Sequence, residues 1–247
     1  MNDNMIKELK EIINSSNNIV FFGGAGVSTE SNIPDFRTDK GIFNENTETL
    51  YPPETILSRS FFLKKTDDFY KFYKNKMIYK DAKPNAAHKA LAKLEEQGKL
   101  KAIITQNIDG LHQMAGSKNV IELHGNVFDN YCMDCKEEYD LEFVLYSAAN
   151  TPRCTCGGIV RPNIVLYEEG LNMDNIHRAV KYISEADVLI VGGTSLVVYP
   201  AAGLIEYYGG NKLVLINRDT TPYDKSANLI INEKIGEVLN EVVLSSN

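Results

Sequence analysis

Apolar residues recur at helical spacing near the start of the chain, at Ile6, Leu9, Ile12 and Ile13, so residues 5–14 are expected to form a helix. A continuous apolar run at 19–22 then passes into GGAGVSTES at 23–31, the pattern of a buried parallel strand ending in a phosphate-binding turn. Between 41 and 83 the pattern is helical and polar, anchored by Phe61, Phe62, Phe69, Phe72 and Tyr73, and reads as a helical insertion. A helix over 85–97 and a strand over 101–105 restore the alternation, and 120–123 is also strand-like. Residues 126–161 show little apolar periodicity, so this stretch is expected to fold around a metal and not on burial alone. Three further strand-like runs follow, at 164–167, 188–191 and 213–216, separated by helical stretches. The fold class is therefore α/β with a parallel sheet, and ligands are expected at the carboxyl ends of its strands.

Composition narrows the classes. The chain has 247 residues, with 33 acidic against 26 basic side chains and a net charge of −7. An acidic surface lacks the positive field that neutralises phosphates, which argues against direct nucleic-acid binding. No apolar run approaches membrane-spanning length, and residues 1–10 are polar where a secretory leader would be apolar, so a cytoplasmic protein is expected. All four cysteines lie between Cys132 and Cys156, a cluster that reads as a metal site and not a disulfide frame.

The chemistry-bearing motifs are few. Gly24 and Gly26 match the first two glycines of the dinucleotide fingerprint, but Thr29 stands where a third glycine or alanine belongs, so a glycine turn without a ligand also satisfies the pattern. Cys132, Cys135, Cys154 and Cys156 form C-x-x-C and C-x-C with 18 residues between them, close to the spacing of two zinc knuckles. Four protein ligands would close the site, making the ion structural; a reduced thiol cluster is the alternative. Of the four histidines, His88 lies within a helix beside Leu91 and Ala92 and reads as packed or capping, and His177 as solvated. His112 and His124 both follow strand-like segments, and Gly125 after His124 allows the ring to be exposed, making His124 the better candidate base. Asn107 and Asp109, after the strand at 101–105, could cap a helix or address a ligand, and Arg37 could be a surface charge or a phosphate partner.

Taken together, GAGVSTESNIPDFR at 24–37, TQNIDGLH at 105–112, His124-Gly125, the four cysteines and GTSLVVYPA at 193–201 resemble the sirtuins, the NAD-dependent protein lysine deacylases. The resemblance covers almost the whole chain in the family's order. It implies a Rossmann-like large domain from residues 1–40, 84–125 and 161–247, and a small domain from the helical insertion 41–83 and a zinc module 126–160. It further implies that NAD is a co-substrate, that one zinc ion is structural, that acyl-lysine proteins are the partners, and that the chain acts as a monomer.

The resemblance also supplies expected roles. Gly24, Ala25, Gly26, Ser28, Thr29, Phe36, Arg37 and Gln106 should line the NAD site, with Asn107, Ile108 and Asp109 at its nicotinamide end. Gly193, Thr194 and Ser195 should meet phosphates and ribose, and Asn217 and Arg218 the adenosine side. His124 matches the catalytic base and Asn107 assists it. The substrate peptide should lie as an extra strand between Val165, Leu166 and Tyr167 on one side and Leu196, Val197 and Val198 on the other. In the implied reaction the amide oxygen attacks the ribose C1′ as nicotinamide leaves, and an imidazole base lets the 2′-oxygen take over the acyl group. The helical insertion has no Tyr-x-x-Arg pair, which points to uncharged acyl groups.

Two departures from the family pattern stand out: Asn32 and Glu168 each occupy a position where the family has glycine. An anionic Glu168 is expected to favour basic residues beside the target lysine. Mono-ADP-ribosyl transfer, a catalytically quiet NAD-sensing adaptor and a dehydrogenase are the rival readings; a candidate base speaks against the adaptor, and the incomplete glycine fingerprint against the dehydrogenase.

Overall fold

A computed structural model describes residues 2–36, 41–42 and 50–245. In chain order the described elements are α1 (Asp3–Asn14), β1 (Ile19–Gly23), α2 (Pro53–Ile56), α3 (Arg59–Lys64), α4 (Thr66–Lys76), α5 (Ala86–Glu96), β2 (Leu100–Thr105), α6 (Leu111–Met114), β3 (Val120–Glu122), β4 (Gly125–Cys132), β5 (Glu138–Tyr139), α7 (Leu141–Leu145), β6 (Val160–Ile164), α8 (Met173–Glu185), β7 (Val188–Gly192), β8 (Leu213–Ile216), β9 (Leu229–Ile231) and α9 (Ile235–Leu239). Six strands form a sheet in the order β3-β2-β1-β7-β8-β9, parallel at every pairing. The order reverses direction beside β1, the topological switch at which open α/β sheets bind ligands.

Alternation along the strands feeds two apolar layers. Ile19 and Phe21 of β1 pack with α1, α5 and α9 residues such as Leu9, Leu91 and Val238, while Val20 and Phe22 pack on the opposite face with Ala179 and Ile183 of α8. Burial on both faces explains why β1 and β7 read as unbroken apolar runs. A third apolar cluster lies apart from this sheet. There Phe61, Phe62, Phe69 and Tyr70 of α3 and α4 pack against Val127, Cys132, Val144 and Val160 of the cysteine-bearing segment, and the Tyr70 hydroxyl donates to the Val160 carbonyl.

Three expectations need correcting. The apolar run at 164–167 is not a strand of the parallel sheet. Ile164 ends β6, which pairs antiparallel with β4 in a three-stranded sheet, and Tyr167 bridges to Ser58. The segment around the cysteines does have a buried apolar side, which it borrows from α3 and α4 and which local periodicity does not reveal. The sixth strand, β9, is only three residues long and was not anticipated.

Candidate active site

Side chains from the carboxyl ends of five parallel strands converge on one cleft of about 500 Å³. After β1 the chain turns through two single 3₁₀ turns, Ala25–Val27 and Thr29–Ser31, where a dinucleotide fingerprint would start a long helix. The Thr29 hydroxyl donates to the Gly26 carbonyl at 2.9 Å and tightens the turn, and Asn32 at φ +62° ends it. The Gly26 N–H in turn donates to the Gly193 carbonyl at 2.8 Å, and a Cβ on Gly26 would lie 2.7 Å from the Gly193 Cα. Two glycines are thus required where the loops after β1 and β7 touch.

Behind these loops the polar groups form a connected set. Asn107 Nδ2 donates to Ser28 Oγ at 3.1 Å, and Ser28 Oγ donates to Asp109 Oδ2 at 2.6 Å. Burial holds the Asp109 carboxyl above its ordinary value, partly countered by the Ser28 hydroxyl and the Leu111 N–H. Gln106 Nε2 donates to Thr194 Oγ1 at 3.1 Å, and the Thr194 N–H donates to Asn217 Oδ1 at 2.9 Å, so the loops after β2, β7 and β8 lock together. Arg218 pairs with Asp35 at 3.7 Å.

His124 borders the cleft just beyond β3. Its Nδ1 lies 3.0 Å from the Gln106 carbonyl, which can only accept, so the proton sits on Nδ1 and Nε2 keeps its lone pair. Burial pushes the His124 pKa down, only partly opposed by that carbonyl, and the ring is neutral at neutral pH. Gly125 follows at φ +73°, and a Cβ there would stand 1.9 Å from the Asn163 carbonyl oxygen, so only glycine permits the turn that leads from His124 into β4.

The structure brings most of the sequence-predicted residues to this cleft. Gly24, Ala25, Gly26, Ser28, Phe36, Gln106, Asn107, Ile108, Asp109, His124, Gly193, Thr194, Ser195, Asn217 and Arg218 all border it, as do Val165, Leu166, Tyr167 and Val198. Thr29 instead braces the loop from behind. Leu196 is buried in the apolar layer with Ala201 and Ile205, and Val197 is half exposed and does not border the cleft. Arg37 lies outside the described residues. Sequence reasoning missed Met77, Ile78 and Tyr79, which border the cleft after α4; nothing in their local pattern separates them from an ordinary helix end.

His88 and His177 sit as expected. His88 accepts the Asn85 N–H and completes a cap at the start of α5, and His177 is solvent-exposed. Glu168 is less expected: its carboxylate is engaged by Ser60 of α3.

The four cysteine sulfurs lie within 4.8 Å of one another, none of them in a disulfide. A tetrahedral ion with Zn–S bonds of about 2.3 Å holds its thiolates about 3.8 Å apart, and the Cys132–Cys156 and Cys135–Cys154 separations are both 3.5 Å. The cluster therefore has the dimensions of a closed metal site.

A parallel α/β sheet with a nucleotide-sized cleft at its switch point, a neutral histidine at the cleft wall and a four-thiol cluster in an appended lobe define the class. The Sir2 family profile matches residues 24–200, and the chain belongs to that family. It is 66% identical over 238 residues to an NAD-dependent protein deacetylase of Clostridium tetani, covering 96% of each chain. It is 64% identical to another of that name from Clostridium acetobutylicum, covering 96% of this chain and 98% of the relative. Among solved structures, a Sir2 protein with a deacetylated p53 peptide and 3′-O-acetyl ADP ribose superposes with a TM-score of 0.89 at 42% identity over 98% of both chains. A Sir2 complex with p53 peptide and NAD⁺ gives 0.84 at 43% identity over 96% of both.

Proposed function

We infer that the protein is an NAD-dependent protein lysine deacetylase, moving the acetyl group of acetyl-lysine to ADP-ribose and, with one water consumed, releasing nicotinamide, O-acetyl-ADP-ribose and free lysine. The observation that carries this is His124, a neutral base whose tautomer is set by the Gln106 carbonyl, in a cleft shared with Ser28, Asn107 and Asp109. The names of the relatives at 66% and 64% identity support the same reading.

The cleft fits NAD. A Cβ on Gly24 would stand 2.9 Å from the Thr194 Cβ, so the backbone there stays bare for close approach, and buried Asn217 Nδ2 has no partner among the described residues and is free to donate. Gly24–Ser28 and Gly193–Ser195 would hold the phosphates and ribose, Asn217 and Arg218 the adenosine side, and Asn107, Ile108 and Asp109 the nicotinamide end, with Phe36 covering the ribose. Bound NAD supplies a ribose carbon made electrophilic by loss of nicotinamide. Asn107, held by Ser28, orients groups at that end, and His124 Nε2 takes the proton from the ribose hydroxyl that receives the acyl group.

Val165, Leu166 and Tyr167 border the cleft on the side where the acyl-lysine segment would lie, with Val198 opposite. The cleft border from the helical and cysteine-bearing segments includes the apolar Ile42, Leu57, Met77, Ile78, Val127 and Leu141 beside Lys76 and Lys80, and its apolar part suits an uncharged acyl group. The six-stranded sheet with its two layers serves as the NAD lobe, and residues 41–83 with 126–160 as the small lobe, whose four cysteines hold a structural zinc ion. Unpaired thiols fit a reducing cytoplasm, and a site bordered by one chain can work as a monomer.

Mass spectrometry of an acetyl-lysine peptide, with and without NAD, tests this. NAD-dependent loss of acetyl with an O-acetyl-ADP-ribose product, falling at least about 100-fold in His124→Ala, is the expected result. Mass gain on a protein acceptor without acyl loss would replace it with ADP-ribosyl transfer.

A further inference from the structure

Glu168 has no part in the reaction just described, yet its conformation is an unusual one for its residue type. It adopts φ +75°, a left-handed backbone that glycine enters freely and glutamate does not. Its side chain finds a specific use there. Glu168 Oε2 accepts the Ser60 N–H at 2.9 Å and Oε1 accepts the Ser60 hydroxyl at 2.9 Å, so the carboxylate caps first-turn groups of α3 that have no intrahelical acceptor. Beside it the Tyr167 N–H donates to the Leu57 carbonyl and the Arg59 N–H to the Tyr167 carbonyl, both at 3.0 Å.

The next residue is tied the other way. Glu169 accepts two hydrogen bonds from Arg161 of β6, each 2.8 Å, and one from the Leu166 N–H at 3.0 Å. Successive carboxylates thus fasten one turn to two elements, Glu168 to α3 and Glu169 chiefly to the sheet beside the cysteines, with a longer 3.9 Å ion pair from Glu169 to Arg59 of α3. The Arg161 tie holds the turn to its own strand, whereas the Glu168 tie spans 108 residues to the helical segment.

We propose that Glu168 is a positioning residue for the acyl-lysine peptide: clasped to Ser60, it holds the segment 165–168 at the cleft border, where the main-chain groups that are not already bonded can pair with a peptide strand. This rests on the reading of that segment as the peptide's edge. A strand already ordered loses less conformational freedom when the peptide adds to it, so the clasp acts on peptide affinity and not on the chemical step.

Steady-state kinetics on the full chain, with peptide and NAD varied separately, tests this. Glu168→Gly keeps the backbone allowed and removes the clasp. Peptide KM should rise about fivefold, the effect of losing one cap, with kcat and the KM for NAD within about twofold. Glu168→Gln keeps an acceptor oxygen for one Ser60 donor and should restore peptide KM to within about twofold of the parent. Peptides with lysine or glutamate flanking the acetyl-lysine should keep the same order of kcat/KM in all variants, because the carboxylate already has its partners. An unchanged peptide KM in Glu168→Gly overturns the proposal. So does a Glu168→Gln variant that loses a preference for lysine-flanked peptides, which would make Glu168 a direct contact of the substrate. Hydrogen exchange of the amides at 165–169 without peptide gives a second arm: it should accelerate in Glu168→Gly, and equal rates overturn the clasp. A parent protein inactive on acetyl peptides with NAD present would defeat the deacetylase reading instead, with the exchange arm still deciding the clasp.

Discussion

A single hydrogen bond decides the chemistry of His124. Because the Gln106 carbonyl can only accept, Nδ1 must donate, and Nε2 is left as the basic atom at the cleft wall. The ring's ordinary pKa is about 6.5, and burial lowers it. A base works unprotonated, and a lowered pKa extends the unprotonated range towards acid. The acidic limb of kcat/KM against pH should therefore have its midpoint below about 6.5, and kcat/KM reports groups of the free enzyme, the state described here. A midpoint at or above 6.5 in acetyl-peptide turnover would refute this assignment. Asn32 shows a different residue-scale effect. Like Glu168 it occupies a left-handed position, at φ +62°, where the family carries glycine, and asparagine is among the few residues that tolerate it.

At the scale of elements, legibility in the sequence tracked how local each cause was. β1, β2, β7 and β8 were readable because parallel strands covered on both faces need apolar side chains at nearly every position. β6 was misplaced because a short apolar run carries no mark of which sheet it joins, and β9 is too short to show any period. In the site, the motifs pointed to the loops, but Glu168 with Ser60 and His124 with Gln106 are contacts across 108 and 18 positions. The shared core of α4 and the cysteine-bearing segment was hidden for the same reason. That core makes a prediction. Tyr70 in α4 donates to the Val160 carbonyl, which lies on the strand between the two cysteine pairs and the cleft. Tyr70→Phe leaves a buried acceptor unmet and should lower unfolding free energy by about 1–3 kcal/mol in urea titration; in protein loaded with zinc, as proposed above, the ion should be released at lower chelator concentration. Unchanged stability and metal retention together would show that the two segments do not depend on each other.

For the molecule as a whole, the most exposed weakness is acid. His88 and His112 meet edge to face with centroids 4.7 Å apart, α5 carrying one and α6 the other. Asn85, at the start of α5, donates to the Val27 carbonyl at 2.7 Å and to Ser31 Oγ at 3.0 Å, so this helix supports the loop after β1 directly. Both His112 nitrogens and His88 Nε2 lack partners among the described residues, and nothing there would stabilise a charged ring. Burial lowers His88 to about 4; it lowers His112 to about 3, with His88 adding to the shift. In the unfolded chain both take protons near about 6.5, so the folded state binds fewer protons at every pH between these values. Stability contributed by the neutral pair is complete above about 6.5 and is lost as pH falls towards about 4 and then 3, at up to about 2.7 kcal/mol per pH unit for two protons. Acid should thus dismantle the support under Ser28, Asn107 and Asp109 as well as protonate His124. Replacing His112 with phenylalanine, which keeps a ring against Phe21 and cannot titrate, should flatten the dependence of unfolding free energy on pH by about one proton, near 1.4 kcal/mol per unit between about 6 and 4. A slope equal to that of the parent protein, measured by urea unfolding across that range, would place the acid sensitivity elsewhere.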